Sequence, residues 1–137
     1  MRSGPGYVDA SVLNSHSAGP VLIIDDAALI LDATVASLQA IGIDDVQIAT
    51  GGLSGIEKLD SLRPRILFVD LMMPEIGGFE VLSHVRGLPE PERPGRIVVM
   101  SAIGDTYLKT SILSLGVDHV LSKPFTLDDI KSAVHAG

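Results

Sequence analysis

Residues 65–82 read RILFVDLMMPEIGGFEVL, and the fold turns on how this stretch is parsed. Ile66 to Val69 is an unbroken apolar run of the kind buried on both faces of a sheet, and it ends on a single acid, Asp70. FEVLSHVRG then carries Val81, Leu82 and Val85 as the core candidates of a helix. A carboxylate at the tip of a buried strand is costly without company. Asp70 must therefore either reach the surface at the strand's end or share the site with groups that make its charge tolerable.

The same alternation of strand and helix extends in both directions. VLIID (21–25), VQIAT (46–50), RIVVMS (96–101) and HVLS (119–122) read as further strands. Between them, ALILDATVASLQAIG places Leu31, Val35 and Leu38 at helical spacing with Gly42 as a stop, and GGLSGIEKLDSLRP carries Ile56 and Leu59 before Pro64 ends it. DTYLKTSILSLG presents Leu108, Ile112 and Leu115 at i, i+4 and i+7. In TLDDIKSAVHAG, Thr126 is the expected N-cap, with Asp129 three residues on. GLPEPERPG, with Pro89, Pro91 and Pro94, is expected to be a surface connection, neither strand nor helix. Continuous apolar strands alternating with helices predict a parallel sheet covered on both faces.

At 137 residues the chain has the length of one domain. It contains no cysteine, which removes thiol catalysis and Cys-based zinc sites. Ten Lys and Arg against 17 Asp and Glu leave a net charge of −7, and the basic residues are scattered. Direct nucleic-acid binding, which draws on clustered cations, is not expected. No stretch reads as a secretory signal or a membrane span, so a cytoplasmic protein is expected. Residues 1–19, rich in Gly, Ser and Asn, read as a flexible tail or an expression remnant, and residues 20–137 as the folded domain.

In open sheets of this kind ligands sit beyond the carboxyl ends of the strands. Those ends carry Asp25 and Asp26, Asp70, Ser101, and Lys123 followed by Pro124. Two like charges about 4 Å apart repel by roughly 4 kcal/mol at an effective dielectric near 20. One lysine cannot offset three acids. Oxygen ligands open to solvent suit Mg²⁺, and an Asp beside such an ion can act as a nucleophile toward phosphorus.

With these motifs in order, the chain resembles the receiver domain of two-component response regulators. An acidic pair follows strand one, an Asp ends strand three, a Ser ends strand four and Lys-Pro follows strand five. DLMMPEIGGFEVL is similar to the family's phosphorylation region. The resemblance runs from about Pro20 to the end. It implies a flavodoxin-like doubly wound sheet of five parallel strands, order 2-1-3-4-5, and a phosphoacceptor switch rather than an enzyme that turns over small molecules. Asp70 would take a phosphoryl group from a phosphohistidine on a sensor histidine kinase or a histidine phosphotransfer protein. Asp26, Asp70 and the Met72 carbonyl would hold Mg²⁺, with Asp25 acting mainly through water. Lys123 would pair with Asp70 and then with its phosphate, the Lys123–Pro124 peptide would be cis, and Ser101 would move toward the phosphate. Leu29, Ile30 and Ala33 on the first helix are candidates for docking the phosphohistidine helix. A downstream effector, separate or appended, is implied, and the resemblance leaves room for a homodimer.

Three features depart from the family. Val120 stands where an aromatic ring usually relays the movement, IGG replaces the frequent MDG so that Gly77 takes an N-cap position, and the short last helix suggests a domain cut from a longer protein. A rival reading is an aspartyl phosphohydrolase, but that class needs a second acid where this chain has Met72. Another is a phosphorylation-independent interaction module, which Val120 keeps in play. His16, His84, His119 and His135 show no paired ligand spacing and read as surface or solvated residues.

Overall fold

Five short apolar runs do form strands, and all pair in parallel. In the computed structural model, which describes residues 19–102 and 106–135, they are β1 (Val21–Ile24), β2 (Val46–Ala49), β3 (Ile66–Asp70), β4 (Arg96–Ser101) and β5 (His119–Ser122). The sheet order is β2-β1-β3-β4-β5. Val21 lies opposite both Val46 and Ile66, Ile66 opposite Arg96, and Val98 opposite His119. The helices are α1 (Ala28–Ala40), α2 (Gly52–Leu62), α3 (Gly78–Arg86), α4 (Thr106–Leu113) and α5 (Leu127–His135). This is the flavodoxin-like arrangement, with its strand-order reversal between β1 and β3.

Side chains alternate across the pleat and so divide the core into two layers. Leu22, Ile24, Leu67, Val69, Val99 and Val120 meet Leu59, Val81, Val85 and Ile112 from α2, α3 and α4. On the other face Ile23, Phe68, Val98, Met100 and Leu121 meet Leu31 and Leu38 of α1 and Ile130 and Val134 of α5. Thr126 caps α5 as expected: its Oγ1 accepts the Asp129 N–H at 3.2 Å, and Asp129 Oδ2 accepts the Thr126 N–H at 2.8 Å. The reciprocal pair ties down two donors that the first turn leaves without helical partners.

Some expectations need correction. The proline-rich connection is not free of helix, because Glu90–Glu92 forms a 3₁₀ turn closed by Glu92 N–H to Pro89 O at 2.9 Å. Pro91 fits there because its missing N–H falls where a helix start has none to use. β2 is an edge strand with exposed Gln47 and Ile48, so it is not buried on both faces as a continuous apolar run implies. Lys58 of α2 donates to the Ile48 carbonyl at 2.6 Å, which places a charge on that open edge. α4 ends at Leu113, leaving Leu115 half-buried in the following turn, while Ile112 is fully packed. The expected tail over residues 1–18, and Asp105 at the start of the expected fourth helix, lie outside the described residues.

Candidate functional site

Parallel strands deliver their last residues to one rim. β1 stops at Ile24, and Asp25 turns the chain by accepting the Ala27 N–H on Oδ1 at 2.9 Å. Its other oxygen accepts from Lys123 Nζ at 2.8 Å. Asp70, the last residue of β3, accepts from the same ammonium on Oδ1 at 3.0 Å. Asp25 and Asp70 are buried and Asp26 is exposed. One carboxylate oxygen from each of the three lies within 4.8 Å of the others. The sequence expectation had Lys123 pairing with Asp70; it holds Asp25 as well, and Asp25 has both oxygens on protein donors.

The electrostatics follow from this crowding. Burial raises the Asp70 pKa above the ordinary carboxylate value, helped by the Asp25 charge and opposed by the Lys123 hydrogen bond. Burial pulls Lys123 downward, yet its hydrogen bonds to Asp25 and Asp70 win and its pKa is raised. The ammonium is thus held charged between two carboxylates. The exposed Asp26 completes a set that could hold a metal ion.

Backbone packing fixes the loop after Asp70. Leu71 N–H donates to the Met100 carbonyl at 3.0 Å, and Gly78 N–H donates to the Leu71 carbonyl at 2.9 Å, drawing the start of α3 against the tip of β3. A side chain at Gly78 would collide with the Asp70 carbonyl oxygen at 2.5 Å and the Leu71 Cα at 2.7 Å. Gly77 is the N-cap of α3, and Glu80 Oε1 accepts its N–H at 3.0 Å. Met72 stands 74% exposed beside the acids. Ser101, buried, ends β4, and its carbonyl accepts the Lys123 N–H at 2.7 Å.

The remaining predicted residues fall around this rim. Val120 is buried in the layer toward α4, opposite Val99. The Lys123–Pro124 peptide is cis. Leu29 is 82% exposed and Ala33 is exposed, whereas Ile30 is half-buried against the α1 and α5 layer. The histidines are not uniformly solvated. His84 Nε2 lies 2.7 Å from Asp60 Oδ1, joining α3 to α2, and His119 is half-buried. His16 is outside the described residues. Sequence reading missed the Asp25–Lys123 pair, because 98 positions separate its members and only the closing of the sheet brings them together.

A flavodoxin-like domain with three acids and a lysine gathered at the carboxyl edge of its sheet is the class that fold and site define. Residues 21–135 match the response regulator receiver domain, and the chain belongs to that family. It is 34% identical over 118 residues to the DNA-binding dual master transcriptional regulator RpaA of Synechocystis, covering 85% of this chain and 47% of that one. Response regulator MprA of Mycobacterium tuberculosis is 30% identical over 116 residues, covering 85% and 49%. The chain thus spans about half the length of these relatives. A CheY-like receiver domain protein from Methanospirillum hungatei superposes with a TM-score of 0.71 at 25% identity, covering 86% of this chain and 91% of that one. Receiver domains of response regulators are signalling modules, not enzymes that turn over small molecules. Among the described residues no helix is long and apolar enough to cross a membrane.

Proposed function

We propose that this domain, residues 20–137, is a phosphoacceptor switch: Asp70 takes a phosphoryl group from a phosphohistidine of a sensor kinase or phosphotransfer protein, and the resulting change in shape controls a downstream partner. The observation that carries this is the single ammonium of Lys123 bridging Asp25 and Asp70, with the exposed Asp26 within 4.8 Å of both. Three carboxylates against one cation leave an excess of negative charge that an oxygen-liganded divalent ion fits. Asp26, Asp70 and the Met72 carbonyl would hold Mg²⁺. When bound, it supplies positive charge that offsets the acids and the incoming phosphate oxygens.

The protein's own groups then divide the work. A carboxylate oxygen of Asp70 forms the bond to phosphorus as the bond from phosphorus to the imidazole nitrogen breaks. That nitrogen keeps the electron pair, and because the other nitrogen of the phosphoimidazolium ring carries a proton, the donor leaves as neutral histidine. Lys123, already 3.0 Å from Asp70, stabilises charge on the transferring group, and Ser101 donates to a phosphoryl oxygen. Asp25, occupied by Ala27 and Lys123, positions the lysine and would act on the ion mainly through water. The phosphohydrolase reading lacks its second acid, since position 72 is a methionine.

Acetyl phosphate with Mg²⁺ is expected to add one phosphoryl group to the intact protein. Asp70→Asn or removal of Mg²⁺ should abolish the addition. An unchanged mass, beside a receiver control that gains phosphate, would favour the phosphorylation-independent module that Val120 keeps in play.

A further inference from the structure

The most distinctive surface away from the acids lies between α3 and α4. Phe79, Leu82, Ser83 and Arg86 follow one another at i, i+3, i+4 and i+7, and so line one face of α3. With Leu115, from the turn after α4, they enclose a groove of about 170 Å³ in which Arg86 is the one charged residue among the described residues. Phe79 is 47% exposed at its upper end. The groove shares Leu82, Arg86 and Leu115 with a larger cavity of about 400 Å³ that continues toward the start of β4.

Charge gives this groove a direction. All five described arginines, at positions 63, 65, 86, 93 and 96, lie at the end of the sheet where the strands begin, opposite the acid nest. Arg93 is committed to the carbonyls of Leu88 and Arg86 at 2.8 and 2.9 Å, Arg96 to that of Ala133 at 2.5 Å, and Arg63 to Glu92 at 3.7 Å. Among the described residues the Arg65 and Arg86 guanidiniums have no such partner, although the chain carries a net charge of −7, and of the two it is Arg86 that lines the groove. An unpaired, exposed guanidinium at the end of an apolar trough is a ready partner for one carboxylate. The larger cavity beyond it sets Glu90 and Asp118 against Arg86 and Arg93, so its charges balance and it offers no stripe of cations to a run of acids or a nucleic-acid backbone.

We propose that the α3–α4 groove docks an amphipathic helix of a partner protein, with bulky apolar residues against Phe79, Leu82 and Leu115 and one Asp or Glu paired with Arg86. Apolar anchors at helical spacing are how such helices enter grooves, and the single ion pair sets their polarity. The surface is separate from Asp70, so its failure leaves the phosphoacceptor reading untouched.

The test is a selection of displayed random helical peptides against the full chain, followed by titration of the ¹⁵N-labelled protein with the peptides obtained. Expected binders carry apolar residues at helical spacing with an acid near one end, and they shift the amides of Leu82, Ser83, Arg86 and Leu115. Replacing the acid by Lys should weaken binding about tenfold or more. Arg86→Glu should reverse that preference, and Arg86→Gln, which keeps most of the side chain, should erase it. No binder, shifts on another surface, or equal binding of the acidic and Lys peptides would overturn the proposal. So would a dimer of the chain alone that Arg86→Glu dissociates, because it would give the groove to a second copy.

Discussion

The carbonyl of Ser101 accepts the backbone N–H of Lys123 at 2.7 Å, while the side chain of the same lysine reaches Asp70 at 3.0 Å. Lys123 is therefore tied at one end to the strand that carries the Ser101 hydroxyl and at the other to Asp70, the proposed phosphoacceptor. Where Val120 has little volume to relocate, this double tie offers a path from Asp70 into β5 and the start of α5. Lys123→Ala should keep the fold but lower stability by about 2 to 4 kcal/mol, since it strands the buried Asp25 without its cation. Amide shifts at Ser122 and Phe125 on addition of beryllofluoride with Mg²⁺ should fall by more than half. Equal shifts in wild type and variant would take Lys123 out of the response.

Gly78 makes a sharper structural prediction. The atoms a Cβ would meet there are backbone of Asp70 and Leu71, which cannot swing aside. Gly78→Ala should cost about 2 to 3 kcal/mol and displace Asp70 enough to slow its phosphorylation. At Gly77 the nearest atom is the Leu71 carbonyl oxygen at 3.2 Å, a tight but adjustable approach. Gly77→Ala should stay within about 1 kcal/mol. Urea unfolding of both variants checks the contrast, and similar losses would mean that the close approach at Gly78 relaxes.

Much of this was legible in the sequence because burial and register speak directly. The runs at 21–24 and 66–69 are apolar on both faces, and the core does lie on both sides of them. The rim acids were legible for the same reason, since parallel strands bring their last residues to one edge. What stayed hidden were distances across the sheet. Nothing local to Asp25 announces Lys123, and the tight seat of Gly78 depends on a strand eight residues earlier. His84 looked solvated because Asp60, on another helix, is its neighbour only in space.

The expected docking of a partner helix on α1 is best tested at Leu29. Ile30 is half-buried and packs against the core, so Ile30→Glu mixes docking with folding. Leu29 is 82% exposed at the start of α1 beside the acid nest. Leu29→Glu should leave unfolding within about 0.5 kcal/mol of wild type and slow transfer from the cognate kinase about tenfold, with little effect on acetyl phosphate. Parallel slowing from both donors would remove Leu29 from the partner contact.

His119 should impose a pH dependence of its own. Burial lowers its pKa below the ordinary 6.5, and the charges of Arg96 on β4 and Lys109 on α4 push the same way against Asp129 on α5. The folded protein thus takes up this proton less readily than the unfolded chain. The stability associated with neutral His119 is fully present above 6.5 and is lost as pH falls through the lowered folded value. His119→Gln removes this contribution. Between about pH 7.5 and about pH 5.5 the wild type should therefore lose more unfolding free energy than the variant. Parallel urea titrations across that range measure the difference. Equal losses would mean that His119 takes its proton as easily in the fold as outside it, despite its place between Arg96 and Lys109.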